Sequence, residues 1–245
     1  MPEAIAIPRA SLIELRRFYL VLSVLLAVLS TIGFWSGYFG PLMTGEVDSP
    51  TIIHIHSTVF VGWLALFIAQ CAFVASGNIA LHRKVGNFGL LWGVVVILTG
   101  LATSVVRFAQ KLEAGGIEAV EHTLVFPLFD MLLFGVFFGL AARHRFNPEL
   151  HKRFMIVAAS SMLVASVARL ISNYVDGNPA THLFTLVLWL SPVLLAMGYE
   201  YWRQRLLHPV YLAGGAVILI SAYRGPIGET DTWLTFTHWL ASVVG

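Results

Sequence analysis

The sequence predicts an all-α fold: a polytopic transmembrane bundle of about seven helical spans, forming a single integral membrane domain over 1–245. Three observations predict it. Of the 245 residues, 58% are hydrophobic and only 11% are charged, whereas a soluble domain carries about a quarter charged residues. Several apolar runs reach roughly 20 residues, the length a helix needs to cross the hydrocarbon core. Lysine and arginine collect in alternate loops, as they do in membrane proteins with one fixed orientation.

The spans follow in order. A cytoplasmic segment at 1–17 ends in Arg16 and Arg17 and leads into the first span, 18–35. That apolar stretch is longer than a signal-peptide core and no small-x-small site follows it, so an uncleaved span is expected. The second span is 50–75, where Ser49 suits a helix cap and Pro50 the first helical position. The third is 87–108, and the Gly115-Gly116 break separates it from the fourth, 117–142. Pro127 is expected to kink that helix and open space near Asp130. The fifth span is 154–174, the sixth 183–201 and the seventh 206–223, which is short and holds Gly214-Gly215. The tail at 232–244 is apolar on one side but too short to cross. It fits an interfacial helix, with Trp233 and Trp239 at headgroup level.

With seven spans, Arg16 and Arg17, Arg83 and Lys84, Arg143 to Arg153, and Arg203 and Arg205 all fall on one side. The opposite loops carry Glu46, Asp48, Glu113, Glu118, Glu229 and Asp231. The positive-inside rule places the N-terminus in the cytoplasm. His54, His56, His122, His182 and His238 then belong to the outer side, and His82, His144, His151 and His208 to the inner side. Spans two to five repeat one pattern. An outer histidine opens a crossing, Leu-His-basic-basic closes it, and the return crossing ends near Arg107 or Arg169. Two such hairpins predict a central four-helix core at 50–174, and bundles of this kind hold cofactors between facing helices.

The outer histidines are the first candidates for chemistry. His54 and His56 lie about 200° apart on a helix of 3.6 residues per turn, so they cannot share one metal there. His56 is the inward one, because Trp63 and Gln70 follow it at steps of seven, and a polar Gln70 in a membrane helix should face protein. His54 shares its face with Thr58, Val61, Ala65 and Ile68. His122 is expected inside span four, at a depth similar to His56. Two imidazoles from two helices are the axial ligands of haem iron; with His182 or a carboxylate they suit copper, zinc or non-haem iron. Against this stands the plainer reading of interfacial polar residues near the headgroups. Asp130 is a costly carboxylate at membrane depth, for which Arg107 and Arg169 are the expected partners; Asn173 ends span five nearby. His82 and His151 read better as headgroup anchors than as ligands.

Several classes are excluded. There is no Walker loop, GxGxxG, HExxH or nucleophile elbow. The last span holds no lysine for a retinal Schiff base. One cysteine, Cys71, gives no disulfide framework, and a net charge of +2 gives no reason to expect nucleic acid.

At His56 with LHRKVG, and at LHKRFM with Arg169, the chain resembles uncharacterised families of bacterial multi-pass membrane proteins. Their shared pattern is an outer histidine on a tryptophan- and glutamine-bearing helix, then Leu-His-Arg-x-x-Gly, then Leu-His-Lys-Arg-x-Met before an arginine-ended helix. The resemblance covers roughly 53–173. More distantly the chain is similar to four-helix b-type cytochromes and to small membrane proteins of cytochrome oxidase assembly. The resemblance implies haem b or a histidine-bound iron or copper ion, and a redox role in the bacterial inner (plasma) membrane. It departs from the two-haem cytochromes in that their ligands lie within helices, whereas His82 and His151 are expected in loops.

The expected function is therefore electron transfer or membrane oxidoreduction, with a quinone or another redox partner in the lipid bilayer. His56 and His122 would be ligands, His54 and His182 further candidates, and Asp130, Arg107, Arg169, Gln70 and Asn173 their surroundings. The alternatives are a transporter or small-molecule-binding protein with a polar cavity around Asp130, and a structural subunit of a membrane complex.

Overall fold

The computed structural model describes residues 9–174 and 179–245, with side chains described over 13–172 and 181–245. The described residues are helical, with no strand among them. Six segments are long and apolar enough to cross a membrane: Ile13–Gly33, Thr51–Ala75, Ile79–Gly115, Val125–Arg143, Pro148–Ser172 and Thr181–Gln204. They mark a multi-pass membrane protein in contact with lipid. A further apolar helix, Pro209–Ser221, has 13 residues and is about 20 Å long at 1.5 Å per residue.

Helix α1 (Arg9–Gly33) shows the inside-out pattern of a lipid-facing element. Val21, Val24, Leu25, Val28 and Ile32 form one exposed stripe, while Leu22, Ser23, Leu26 and Ser30 are buried on the other face. Lipid matches the apolar stripe, and small or hydroxylated residues let backbones approach within the protein. The π-helical turn Trp35–Phe39 and the short helix α2 (Gly40–Thr44) lead to α3 (Thr51–Ala75). Pro50, not Ser49, sits at the cap position of α3 and offers no side-chain bond.

The turn after α3 is tighter than the sequence suggested. Gly77 adopts φ +79, which a side chain would oppose, and the Asn78 side chain accepts from Leu81 N at 3.1 Å. Helix α4 therefore begins at Ile79 and runs to Gly115, 37 residues in all. His82, Arg83 and Lys84 lie in its first turns and not in a loop. A cap outweighs the basic residues, since nothing requires a helix to stop at the bilayer edge.

Expected span four is also redrawn. A 3₁₀ turn at Ile117–Ala119 precedes α5 (Val125–Arg143), so His122 precedes the helix. Pro127 is the third residue of α5, where its missing N–H is one that has no intrahelical acceptor, so it does not break the ladder. The next crossing is two helices, α6 (Pro148–Ser161) and α7 (Val164–Tyr174). Asn147 caps α6 by accepting from Glu149 N at 3.1 Å and Leu150 N at 3.3 Å, so His151 is helical as well. At the α6–α7 break, the Ser160 carbonyl accepts from Trp189 Nε1 at 2.9 Å and from Leu163 N at 3.0 Å. Helices α8 (Pro179–Gln204), α9 (Pro209–Ser221) and α10 (Asp231–Val244) complete the chain.

Helix α1 packs on α3 and α7, α3 on α4, α4 on α5, and α5 on α6, closing a ring of crossings. Helices α8 and α9 cover the outside of α6, where Ala158, Ser160 and Ser161 are almost or wholly inaccessible. Helix α10 packs across the 117–124 turn, with Trp233 and Leu240 against a small core of Phe108, Val120 and Leu124.

One end of the ring is held by charge. Glu200 of α8 accepts from Arg153 Nε at 2.9 Å and Nη2 at 2.5 Å. It also accepts from Tyr19 of α1, whose hydroxyl meets Tyr211 of α9 at 2.8 Å. Arg153 and Glu200 are each 2% exposed. Arg153 is thus turned inward, not anchored to headgroups as LHKRFM suggested. His208 caps α9 by accepting from Val210 N at 3.2 Å; burial and the nearby Arg153 guanidinium push its imidazole below its ordinary pKa, which keeps the accepting, neutral form.

Two outcomes are expected from denaturation of the purified protein in micelles. Arg153→Ala should lower stability by about 3–5 kcal/mol, since it leaves a buried carboxylate with only the more distant Lys152 Nζ, 3.6 Å away, as a cation; a melting point within a degree of the parent would refute the account. A Cβ at Gly33 would collide with the backbone of Ser166, whereas one at Gly139 would meet nothing. Gly33→Ala should therefore cost about 1–3 kcal/mol, and Gly139→Ala nothing measurable or a slight gain.

Candidate functional site

At the end of the ring away from Glu200, the helices diverge around a cavity of about 260 Å³. Ser30 and Thr31 of α1 and Phe34 and Tyr38 of the following turn form one wall. His56, Phe60 and Leu64 of α3 form the next, followed by Thr103, Ser104 and Arg107 of α4 and Asp130 and Met131 of α5. Met162, Ala165 and Arg169 close it, so both sides of the α6–α7 break face the same space. The site thus reaches beyond the two hairpins at 50–174 and needs α1.

The tautomer of His56 follows from its partner. Thr99 Oγ1 donates to the Val95 carbonyl at 2.9 Å, so it accepts from His56 Nδ1 at 3.2 Å. Nδ1 carries the proton, and Nε2 is left with its lone pair. His54 is turned to the side, with Nδ1 3.0 Å from the Tyr38 hydroxyl.

Asp130 is buried and pairs with neither expected arginine. Its Oδ1 accepts from Arg224 Nη2 at 2.6 Å, across from the end of α9. Arg224 also donates to the Ser221 carbonyl at 2.8 Å and lies over the Phe126 ring at 5.2 Å. Burial lowers the guanidinium pKa and the Asp130 charge opposes that shift. Arg224 went unpredicted because it follows the last span, in a segment without histidines. The available signal was a lone cation beside an apolar helix on the cation-poor side.

With Asp130 taken, the other two arginines have no carboxylate among the described residues. Arg107 donates only to Gln110 Oε1 at 3.2 Å and Ser49 Oγ at 3.4 Å. Arg169 donates to the Ala165 carbonyl at 2.9 Å and lies 4.5 Å from the Phe34 ring centre. The two guanidinium groups are close enough to repel each other, and Arg169 also feels Asp130. The wall is therefore cationic, with an apolar body of Phe60, Leu64, Met131 and Met162 beneath.

The remaining expected site residues lie elsewhere. His122 is not on the cavity wall: its Nδ1 donates to the Gly228 carbonyl at 2.8 Å and its Nε2 is 3.2 Å from Glu121 Oε1. His238 of α10 reaches the same carboxylate at 2.7 Å. His182 is exposed on α8, and Gln70 lies at the opposite end, facing Gly86 of α4. The Asn173 side chain falls outside the described residues. His56, His122, His54 and His182 thus form no shared donor set for haem or a metal, and no described group of three or more His, Cys, Asp or Glu side chains has metal-binding geometry. Comparison of the chain with protein-family models, curated proteins and solved structures finds no match.

The Asp130–Arg224 pair predicts a double-mutant result. Arg224→Gln alone should destabilise by about 3–5 kcal/mol. Adding Asp130→Asn should restore part of the loss, with a coupling of about 0.5–3 kcal/mol. Additive losses in chemical denaturation would show the pair to be energetically idle.

Proposed function

We propose that this protein binds a small organic anion with an apolar body, and carries it, in a seven-crossing bundle with a cytoplasmic N-terminus in the bacterial plasma membrane. The observation behind this reading is the pair of arginines, Arg107 and Arg169, that share one cavity without a carboxylate of their own. Both guanidinium groups are exposed at the cavity, and two like charges that repel each other across one space favour an anion between them. A carboxylate or phosphate group relieves that repulsion, and Arg offers paired donors for it. The Thr103 hydroxyl, which is buried without a partner, supplies a further donor. The phenylalanine, leucine and methionine side chains suit the apolar part.

The α6–α7 break supports transport over simple binding. Discontinuous helices beside a mid-membrane site are a recurring feature of carriers, and here Met162 and Ala165 flank the break at the cavity. The alternation of the crossings supports the orientation: the basic clusters gather at the Glu200 end and the cavity opens toward the other. The redox reading, with haem b, iron or copper at His56, requires a second ligand from outside the wall. It is therefore the weaker proposal.

The test is a binding screen on the purified protein, read by tryptophan fluorescence or calorimetry, with uptake into proteoliposomes. Apolar carboxylates and phosphate esters should bind, and their amide or alcohol counterparts should not. Arg107→Gln and Arg169→Gln should each weaken binding about tenfold or more, the worth of one charge-assisted hydrogen bond. Preference for organic cations, or anion binding indifferent to both substitutions, would sink the reading.

A further inference from the structure

The opposite end of the bundle carries a second cluster of unused donors. The ring of His82, in the first turns of α4, meets that of His151, in the first turn of α6, with centres 6.3 Å apart and planes at 75°. His151 Nδ1 donates to the Ala141 carbonyl at 2.9 Å. That bond fixes the tautomer and leaves Nε2 with a lone pair, the arrangement by which proteins orient metal-binding imidazoles. His82 Nδ1 is buried and has no partner. Both side-chain polar atoms of Gln70 are buried without partners too. Gln70 Oε1 faces α4 at Gly86, one turn beyond His82, and the Gln70 backbone carbonyl lies beside the His82 ring.

Unpaired buried polar atoms are rare in native proteins, and α3 and α4 bring theirs to one place here, beside the His151 ring of α6. The His82 ring bonds to the Gln70 backbone carbonyl, but its Nδ1 and the Gln70 side-chain amide stay without partners. The spacing points to an ion and not to an organic molecule. With metal–nitrogen bonds of about 2.0 Å, one ion between two imidazoles holds the ring centres about 5–6 Å apart, the larger value for near-linear coordination, which leaves no room for a larger ligand. Neutral imidazole with an amide oxygen selects borderline transition metals, copper or zinc, over magnesium or calcium. Arg83 and Lys84 are exposed, so water screens most of their charge, although that of Arg83 still reaches the His82 ring.

We propose that His82 and His151 bind one copper or zinc ion at the basic end of the bundle, with Gln70 as the neighbouring oxygen donor. The ion ties α3, α4 and α6 together at the point where the two hairpins meet. The site is separate from the cationic cavity and does not rest on the anion reading.

The experiment titrates chelator-stripped, full-length protein with Zn²⁺, and with Cu⁺ under reducing conditions. It reads bound metal per chain after desalting and the metal-dependent rise in melting temperature. One ion per chain and a rise in melting temperature are expected. His82→Phe and His151→Ala should each weaken binding at least about tenfold, while His144→Ala, at the same end, should bind as the parent does. Metal-free His82→Phe gives up the ring's bond to the Gln70 carbonyl but should keep the parent's helical circular dichroism and elution volume. That separates loss of the ligand from loss of the fold, whatever His151→Ala does to folding. Arg107→Gln and Arg169→Gln should leave the titration unchanged. The proposal is overturned by a parent protein that retains no metal, or by His82→Phe binding with parental affinity, which would mark the ion as adventitious.

Discussion

Glu200 accepts hydrogen bonds from three other helices, and the bundle's packing order depends on it. A carboxylate in the apolar interior is tolerated only when its charge is paired and its oxygens are bonded. Arg153 supplies the charge from α6, and the hydroxyls of Tyr19 and Tyr211 supply bonds from α1 and α9. Because each donor comes from a different element, satisfying one side chain sets where four helices meet. It also explains how a helix as short as α9 is held. Its first turn ends at Tyr211 in this cluster, and the residue beyond its last turn but two, Arg224, ends at Asp130.

The same rule, applied at the other end, creates the cavity's character. Asp130 is a carboxylate whose charge reaches Arg169, and the turn after α9 takes it away by placing Arg224 against it. Arg107 and Arg169 are left facing one space with only neutral partners. Had Asp130 paired with either of them, the wall would be close to neutral and the cavity would have no preference of sign. Helix α9 thus does two things from outside the ring: it seals the Glu200 cluster and sets the charge of the cavity.

Much of the architecture was legible in the chain. The helical class and the six long apolar helices follow from apolar run length, because it is local in sequence. Helix ends were less legible. Asn78 and Asn147 cap helices just before LHRK and LHKR, so the basic motifs that looked like loops are first turns. The 3₁₀ turn at Ile117–Ala119 likewise moved His122 out of its expected helix. In both cases a short-range hydrogen bond decided what composition alone left open.

The sequence by itself determined that this chain lives in lipid, that His56, Arg107, Asp130 and Arg169 belong to one end, and that a polar site there needed explaining. Those conclusions rest on the cost of polar groups in hydrocarbon, which every residue bears individually. Only the tertiary structure decided who pairs with whom. Asp130 meets Arg224 across 94 positions, Arg153 meets Glu200 across 47, and His82 meets His151 between two hairpins. Partner choice among several arginines of equal charge is a matter of distance and direction, and helix packing, which no local pattern encodes, sets both.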